Sequence, residues 1–141
     1  MKKMLTLLML SLIFCGCRSV EELSEAEKTL IREQQIGESM LEAFRKKDIE
    51  RYLQYIPAGG RQLYGKKEFD KEQQEVASKL GEIVSYRFLT RLEMEPAHQL
   101  VWAVRFKSYS IKGEPVFKEA LFAIVVGEVD ESKKVFLFGF K

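Results

Sequence analysis

Few side chains in this chain have the type and setting that proton transfer, metal binding or covalent modification require. Two cysteines, Cys15 and Cys17, stand two residues apart near the start, and His98 is the sole histidine. The aspartates Asp48, Asp70 and Asp130 fall where a helix cap, a helix start and a turn are expected. Glu119 is the only acid in the middle of an apolar, strand-like stretch, and strand parity puts it on one side with Phe117 and Leu121. A general base needs burial to bring its pKa into a useful range. Glu119, with Tyr86 as a phenol to join it, is therefore the acid and phenol that the sequence offers for proton abstraction. The plainer reading is a Glu opposite a cross-strand Arg or Lys. His98 follows Glu95-Pro96 in an expected hairpin tip, where a histidine is solvated, and no second His completes a metal set. Gly59-Gly60 has neither a preceding strand nor a following Gly-Lys-Ser/Thr, so it reads as a loop and not as a phosphate cradle. The residues assign no catalytic group, no metal and no cofactor.

The cysteines have a different setting. Met1-Lys2-Lys3 is a short basic start, and Met4 to Phe14 is apolar except for Thr6 and Ser11. A basic start, an apolar run and small residues at its exit make an export signal. The run is shorter than the stretch of about 20 apolar residues that spans a bilayer. Its end, Phe14-Cys15-Gly16-Cys17, resembles the lipobox of bacterial lipoproteins, with Phe14 in place of the commoner Leu. Cys15 does not fit as the acceptor, because Phe14 would then occupy the position of a small residue. The resemblance implies that residues 1–16 are a signal peptide, that Cys17 carries a diacylglyceryl thioether, and that its freed amino group is acylated, as with palmitate. Each buried methylene contributes about 0.8 kcal/mol, so several chains anchor far more firmly than one. Lipidation at Cys17 implies the membrane as a partner and the bacterial cell envelope as the location, facing the periplasm or the exterior.

Residues 17–23 then form a lipidated tether and residues 24–141 one domain. A tether of that length reaches about 20 Å at most, which keeps the domain near the headgroups. With one cysteine lost and the other lipidated, the domain is expected to hold together without a disulfide. The chain has 23 Lys and Arg against 21 Asp and Glu, and removing Lys2 and Lys3 leaves 21 against 21. A neutral domain offers no electrostatic reason for a nucleic-acid partner.

The pattern that must position any site changes once along the domain. Ser24 with Glu27, or Ser19 with Glu22, is a capping box that can open a first helix, and Ser24 is preferred. That helix runs to about Lys47 with Leu23, Ala26, Leu30, Ile31, Gly37, Met40, Leu41 and Phe44 on one face. Glu33 and Gln34 interrupt the apolar seam and exclude a coiled coil. Asp48 caps a short second helix, Pro57 to Gly60 ends it, and Arg61 to Lys67 is expected as a loop. A third helix covers Lys67 to Leu80, with Gly81 as its left-handed cap. From Glu82 onward the sequence alternates. Four strands are expected over Glu82–Met94, Gln99–Ser110, Val116–Val129 and Lys134–Phe140, joined by short turns into an antiparallel meander. Simple alternation puts Val84, Tyr86, Phe88, Thr90 and Leu92 on one face of the first strand.

Helices packed on a curved four-stranded sheet make an α+β fold. Phe44-Arg45-Lys46-Lys47-Asp48 at the helix junction, Lys79-Leu80-Gly81-Glu82-Ile83 at the entry to the sheet, and the aromatic strand from Trp102 to Tyr109 resemble the NTF2-like superfamily, with its cystatin-like cone. Members of that superfamily include proton-abstracting enzymes and proteins of unknown function, and many pair through the outer sheet face. That face is expected to carry Val101, Ala103, Leu121, Ala123, Val125, Val135 and Leu137, an apolar strip suited to a second copy or an envelope partner. The sequence therefore reads as a lipid-anchored, non-catalytic binding module. Its alternative is a small-molecule-binding cone of isomerase or dehydratase type, lined by Phe69, Tyr86, Phe88, Trp102 and Phe106. A filled cone favours the first, and an enclosed pocket with an unpaired acid favours the second.

Overall fold

A computed structural model describes residues 23–141. The expected signal peptide, the expected lipidation at Cys17 and all but residue 23 of the expected tether lie outside the described residues. Helix α1 spans Glu25–Lys46. Ser24 is its N-cap: the hydroxyl accepts from the Glu27 amide, and the Glu27 carboxylate accepts from the Ser24 amide at 2.8 Å. Lys47, at φ 59°, closes the helix through bonds to the Ala43 and Phe44 carbonyls. Helix α2 spans Ile49–Leu53 under an Asp48 cap. The segment expected as a loop instead contains α3, Ala58–Leu63. Pro57 supplies a helix-compatible φ of −56° at its start, and its carbonyl accepts from Arg61. No residue of α3 is buried. Helix α4 spans Lys66–Lys79.

The strands β1 (Glu82–Met94), β2 (Ala97–Tyr109), β3 (Pro115–Val129) and β4 (Ser132–Phe140) form one antiparallel meander in the order β1-β2-β3-β4. One face of the sheet packs on the helices. Leu100, Trp102, Val104 and Phe106 of β2 and Phe122, Ile124 and Val126 of β3 meet Met40, Leu41 and Phe44 of α1, with Tyr52 and Phe69 beside them. All are essentially inaccessible. Gly37 allows this approach. A Cβ added there would lie 2.0 Å from the Trp102 ring, so α1 crosses the sheet in direct contact with the indole. Gly81 is equally constrained at φ +102°, where a Cβ would meet the Lys107 carbonyl oxygen at 2.2 Å.

Three departures from strict alternation set the faces. Register shifts in β1 fall between Ile83 and Ser85 and between Phe88 and Thr90, leaving Val84 and Leu89 without a partner on β2. Each extra residue reverses the parity that follows it. Ile83, Tyr86, Phe88 and Arg91 thus face the helices, while Thr90 and Leu92, expected beside Tyr86 and Phe88, turn to the outer face. A third shift separates Val125↔Leu137 from Val126↔Val135, so Phe136 is the extra residue of β4. Val135, expected on the outer strip, is consequently buried in the core.

Candidate functional site

The residues singled out for proton transfer are not brought together. Glu119 pairs with Arg105 in the β2–β3 ladder and is exposed on the outer face. Arg105 itself lies over the Phe117 ring, 4.3 Å from its centroid. Tyr86 pairs with Val104 on the opposite, helix-facing side. Burial, together with the carboxylates of Glu42 and Glu38, raises its pKa. The sheet separates the two groups, so they form no acid and phenol pair. The rings proposed to line a cone pocket fill it instead. Phe88 packs edge-on against Trp102 at 5.5 Å between centroids, Phe69 against Phe44 at 5.7 Å and Phe106 against Phe140 at 5.7 Å.

His98 is not in a solvated turn. The turn is only Glu95-Pro96, and β2 begins at Ala97. Strand parity turns His98 towards α1, where its Nδ1 lies 2.9 Å from Glu33 Oε1. Glu33 is the one buried charged residue among the described residues, with no exposed surface. Arg91 Nε stands 3.3 Å from its Oε2 and Lys133 Nζ 3.4 Å from its Oε1. The Arg91 contact is an ion pair rather than a well-aligned hydrogen bond, since neither Nε nor Oε2 has a hydrogen-bond partner. His98 Nε2 stands 3.0 Å from Glu93 Oε2, and Arg91 Nη2 lies 2.7 Å from Nε2 and 2.9 Å from Nδ1. Glu93 and Glu128 complete the outer ring through Arg91 and Lys133, at 3.6 Å and 3.4 Å.

The cluster is thus self-compensating. A buried carboxylate without cations would cost several kcal/mol, so three cationic or potentially cationic side chains gather round it. The Leu89 bulge turns Arg91 inward, and the Phe136 bulge lies beside the β4 segment that carries Lys133. Glu33 stands three residues after Leu30 and four before Gly37 on the apolar stripe of α1. A carboxylate at a core position of an amphipathic helix was the available signal for a buried network. The Glu33 carboxylate has no exposed surface, and its ion pairs tie α1 to the ends of β1, β2 and β4.

A second cluster faces a cleft. Tyr52 of α2 is fully buried, and its hydroxyl has no hydrogen-bond partner. Its ring packs on Tyr64 and Phe138, with centroids 6.1 Å and 5.5 Å away. The Tyr64 hydroxyl donates to Glu72 Oε2 on α4. Burial lifts the pKa of Tyr52 and Tyr64 and raises that of Glu72, against the opposing effect of the Tyr64 hydrogen bond. Glu72 lines an open cleft of about 570 Å³ between α3, α4 and β4. Like Glu33, it sits on an apolar stripe, three residues after Phe69 and four before Val76. Chemically, this is a carboxyl held near a phenol in a partly dry setting, able to accept a cation or hold a proton. The described residues contain no group of three or more His, Cys, Asp or Glu placed to hold a metal. No helix among them is long and apolar enough to cross a membrane.

No family model matches the chain, and no curated protein matches it in sequence. Its fold is shared with solved structures. Aln2 from a Streptomyces species aligns over 85% of this chain and 93% of its own, at 11% identity and a TM-score of 0.56. A variant of Rd1NTF2_05 aligns over 80% of this chain and 99% of its own, at 10% identity and a TM-score of 0.54. The association domain of C. elegans CaMKII covers 84% of this chain and 99% of its own, at 12% identity and a TM-score of 0.53. At these identities the likeness is one of fold: the chain folds as an NTF2-like α+β domain, with helices on a four-stranded antiparallel meander.

Proposed function

We propose that this chain is a lipoprotein of the bacterial cell envelope, anchored through Cys17, whose NTF2-like domain is a non-catalytic module that binds through its outer sheet face. The observation that carries the reading is the contrast between the two faces of the sheet. The helix-facing side is closed by mutually packed rings, and its one buried carboxylate is matched by Arg91, His98 and Lys133. The outer side leaves Leu121 43% and Leu137 67% exposed beside the half-buried Val101 and Val125, while Ala103 and Ala123 of the expected strip are buried. Large apolar side chains exposed on one sheet face are costly to leave in water and suit a second copy or an envelope partner. An association domain among the fold neighbours agrees with self-pairing.

Sedimentation of residues 19–141 with and without Leu121→Glu tests the face. A dimer that the substitution dissociates supports self-pairing. A monomer whose solubility and state ignore Leu121→Glu removes the proposal. The anchor is tested by labelling the full chain with palmitate in its host. Cys17→Ser is expected to abolish the label, and retention of it refutes the assignment. The alternative, a small-molecule-handling enzyme, is favoured by one feature only, the Tyr64 and Glu72 pair at the cleft.

A further inference from the structure

The two stripe carboxylates differ in what answers their charge. Glu33 has three cations or potential cations. Glu72 has none: no Lys, Arg or His among the described residues makes an ion pair with it, and its one polar partner is the Tyr64 hydroxyl. The nearby bases are directed elsewhere. Lys71 and Lys79 both point to Glu75, each at 3.9 Å. Glu68 is also engaged, accepting from the Gly65 amide at 3.0 Å. The cleft beside Glu72 is walled by Ile56, Leu63, Tyr64, Phe136, Leu137 and Phe138, and its charged lining is three acids against Lys71. Leu63 stands at its rim 83% exposed, on a helix that buries nothing. Behind the cleft, Tyr64 rests on Tyr52, whose fully buried hydroxyl lacks a partner.

We propose that this cleft is a binding site for a small organic ammonium with a hydrophobic body. The cation sits against Glu72, and the body lies between Leu63, Tyr64 and Phe138. A half-buried carboxylate that lacks a cation gains most from a ligand that brings one, since hydrogen bonds between ionised partners are the stronger class. The aromatic walls add attraction for the positive charge at their faces and cover for the apolar body. A neutral ligand would leave Glu72 as it is, and an anion would meet three carboxylates. A volume of about 570 Å³ lies within the range of small-molecule pockets. The cleft shares Leu137 with the outer sheet face, but its cation subsite at Glu72 lies on α4, so the Glu72 readouts test this proposal independently of the sheet-face reading.

The test titrates the full chain in non-ionic detergent at neutral pH with hexylamine, hexan-1-ol and hexanoate. Binding and the Glu72 carboxyl are followed by NMR of protein with carbon-labelled glutamate. Hexylammonium is expected to bind at least about tenfold more tightly than hexan-1-ol, and hexanoate not to bind. Hexylammonium is also expected to lower the pH at which Glu72 titrates. Glu72→Gln removes the tenfold preference and keeps hexan-1-ol binding, while Glu75→Gln retains the preference. Equal binding of the amine and the alcohol, no binding of either, or a Glu72 titration unmoved by hexylamine overturns the proposal, and the last readout needs no variant to fold.

Discussion

Replacing Glu33 by Ala tests whether the buried network holds α1 on the sheet. The substitution removes a carboxylate with no exposed surface and leaves Arg91, His98 and Lys133 facing one another. Breaking a buried ion pair by deleting one partner costs about 3–5 kcal/mol. Here the orphaned side chains keep 17%, 21% and 25% exposure, so water reaches each of them. The expected loss therefore sits at the low end, about 3 kcal/mol. At this chain size a kcal/mol moves Tm by about 4 °C, so a drop of about 12 °C is expected. Lys133→Met is the internal control. Glu33 then keeps Arg91 and His98, and the loss is expected near about 1 kcal/mol, in the range of a partly exposed pair. Urea denaturation of residues 19–141 measures both. A loss under about 1 kcal/mol for Glu33→Ala, or equal losses for the two variants, would refute the reasoning.

Four further predictions follow from the packing and the titrating groups. Gly37→Ala drives a methyl into the Trp102 ring and is expected to cost about 3 kcal/mol, read by denaturation and by a shifted Trp102 fluorescence; an unchanged midpoint would show that α1 can move away. The Phe136 bulge predicts that Val135→Asp prevents folding whereas Leu137→Asp leaves stability within about 1 kcal/mol, by circular dichroism. The reverse ranking would contradict the register. Glu72 has a raised pKa through burial, so the native state holds its proton longer than the unfolded chain. Stability should fall as pH rises from the ordinary 4.5 towards the raised native value, and Glu72→Gln should flatten that slope. Glu42, held at about 2 by Arg45 and then Lys46, acts in the opposite sense, with stability present above its ordinary pKa and lost as pH falls towards about 2.

The order of helices and strands follows from signals that are local in sequence. Ser24 with Glu27, Asp48 before Ile49, and Gly81 after α4 each satisfy backbone groups within a few residues. The strands announce themselves by alternation. The faces do not, because a bulge reverses parity without a sequence mark. Leu89 and Phe136 are ordinary strand residues, yet each moves its neighbours to the other side, which is how Arg91 reaches Glu33 and how Val135 leaves the outer strip. His98 reads as a turn residue because Pro96 precedes it, whereas the turn needs only two residues. Helix α3 buries nothing, so no apolar period marks it. Glu33 reads only as a break in the apolar seam and Glu72 is not singled out, although each stands three residues after an apolar stripe residue. That spacing identifies a buried acid but cannot say which distant cations, if any, the tertiary structure brings to it.

The central claim, that the outer sheet face is where the anchored domain binds, is tested most directly by photo-crosslinking in the native membrane. A crosslinking amino acid is placed at Leu121 or Leu137 on the outer face, and at Glu50 on α2 as a control. The account predicts a discrete crosslinked species, a second copy or one envelope protein, from Leu121 and Leu137, lost when the other of the two is changed to Glu, and none from Glu50. No product from either outer position, or the same product from Glu50, would contradict it.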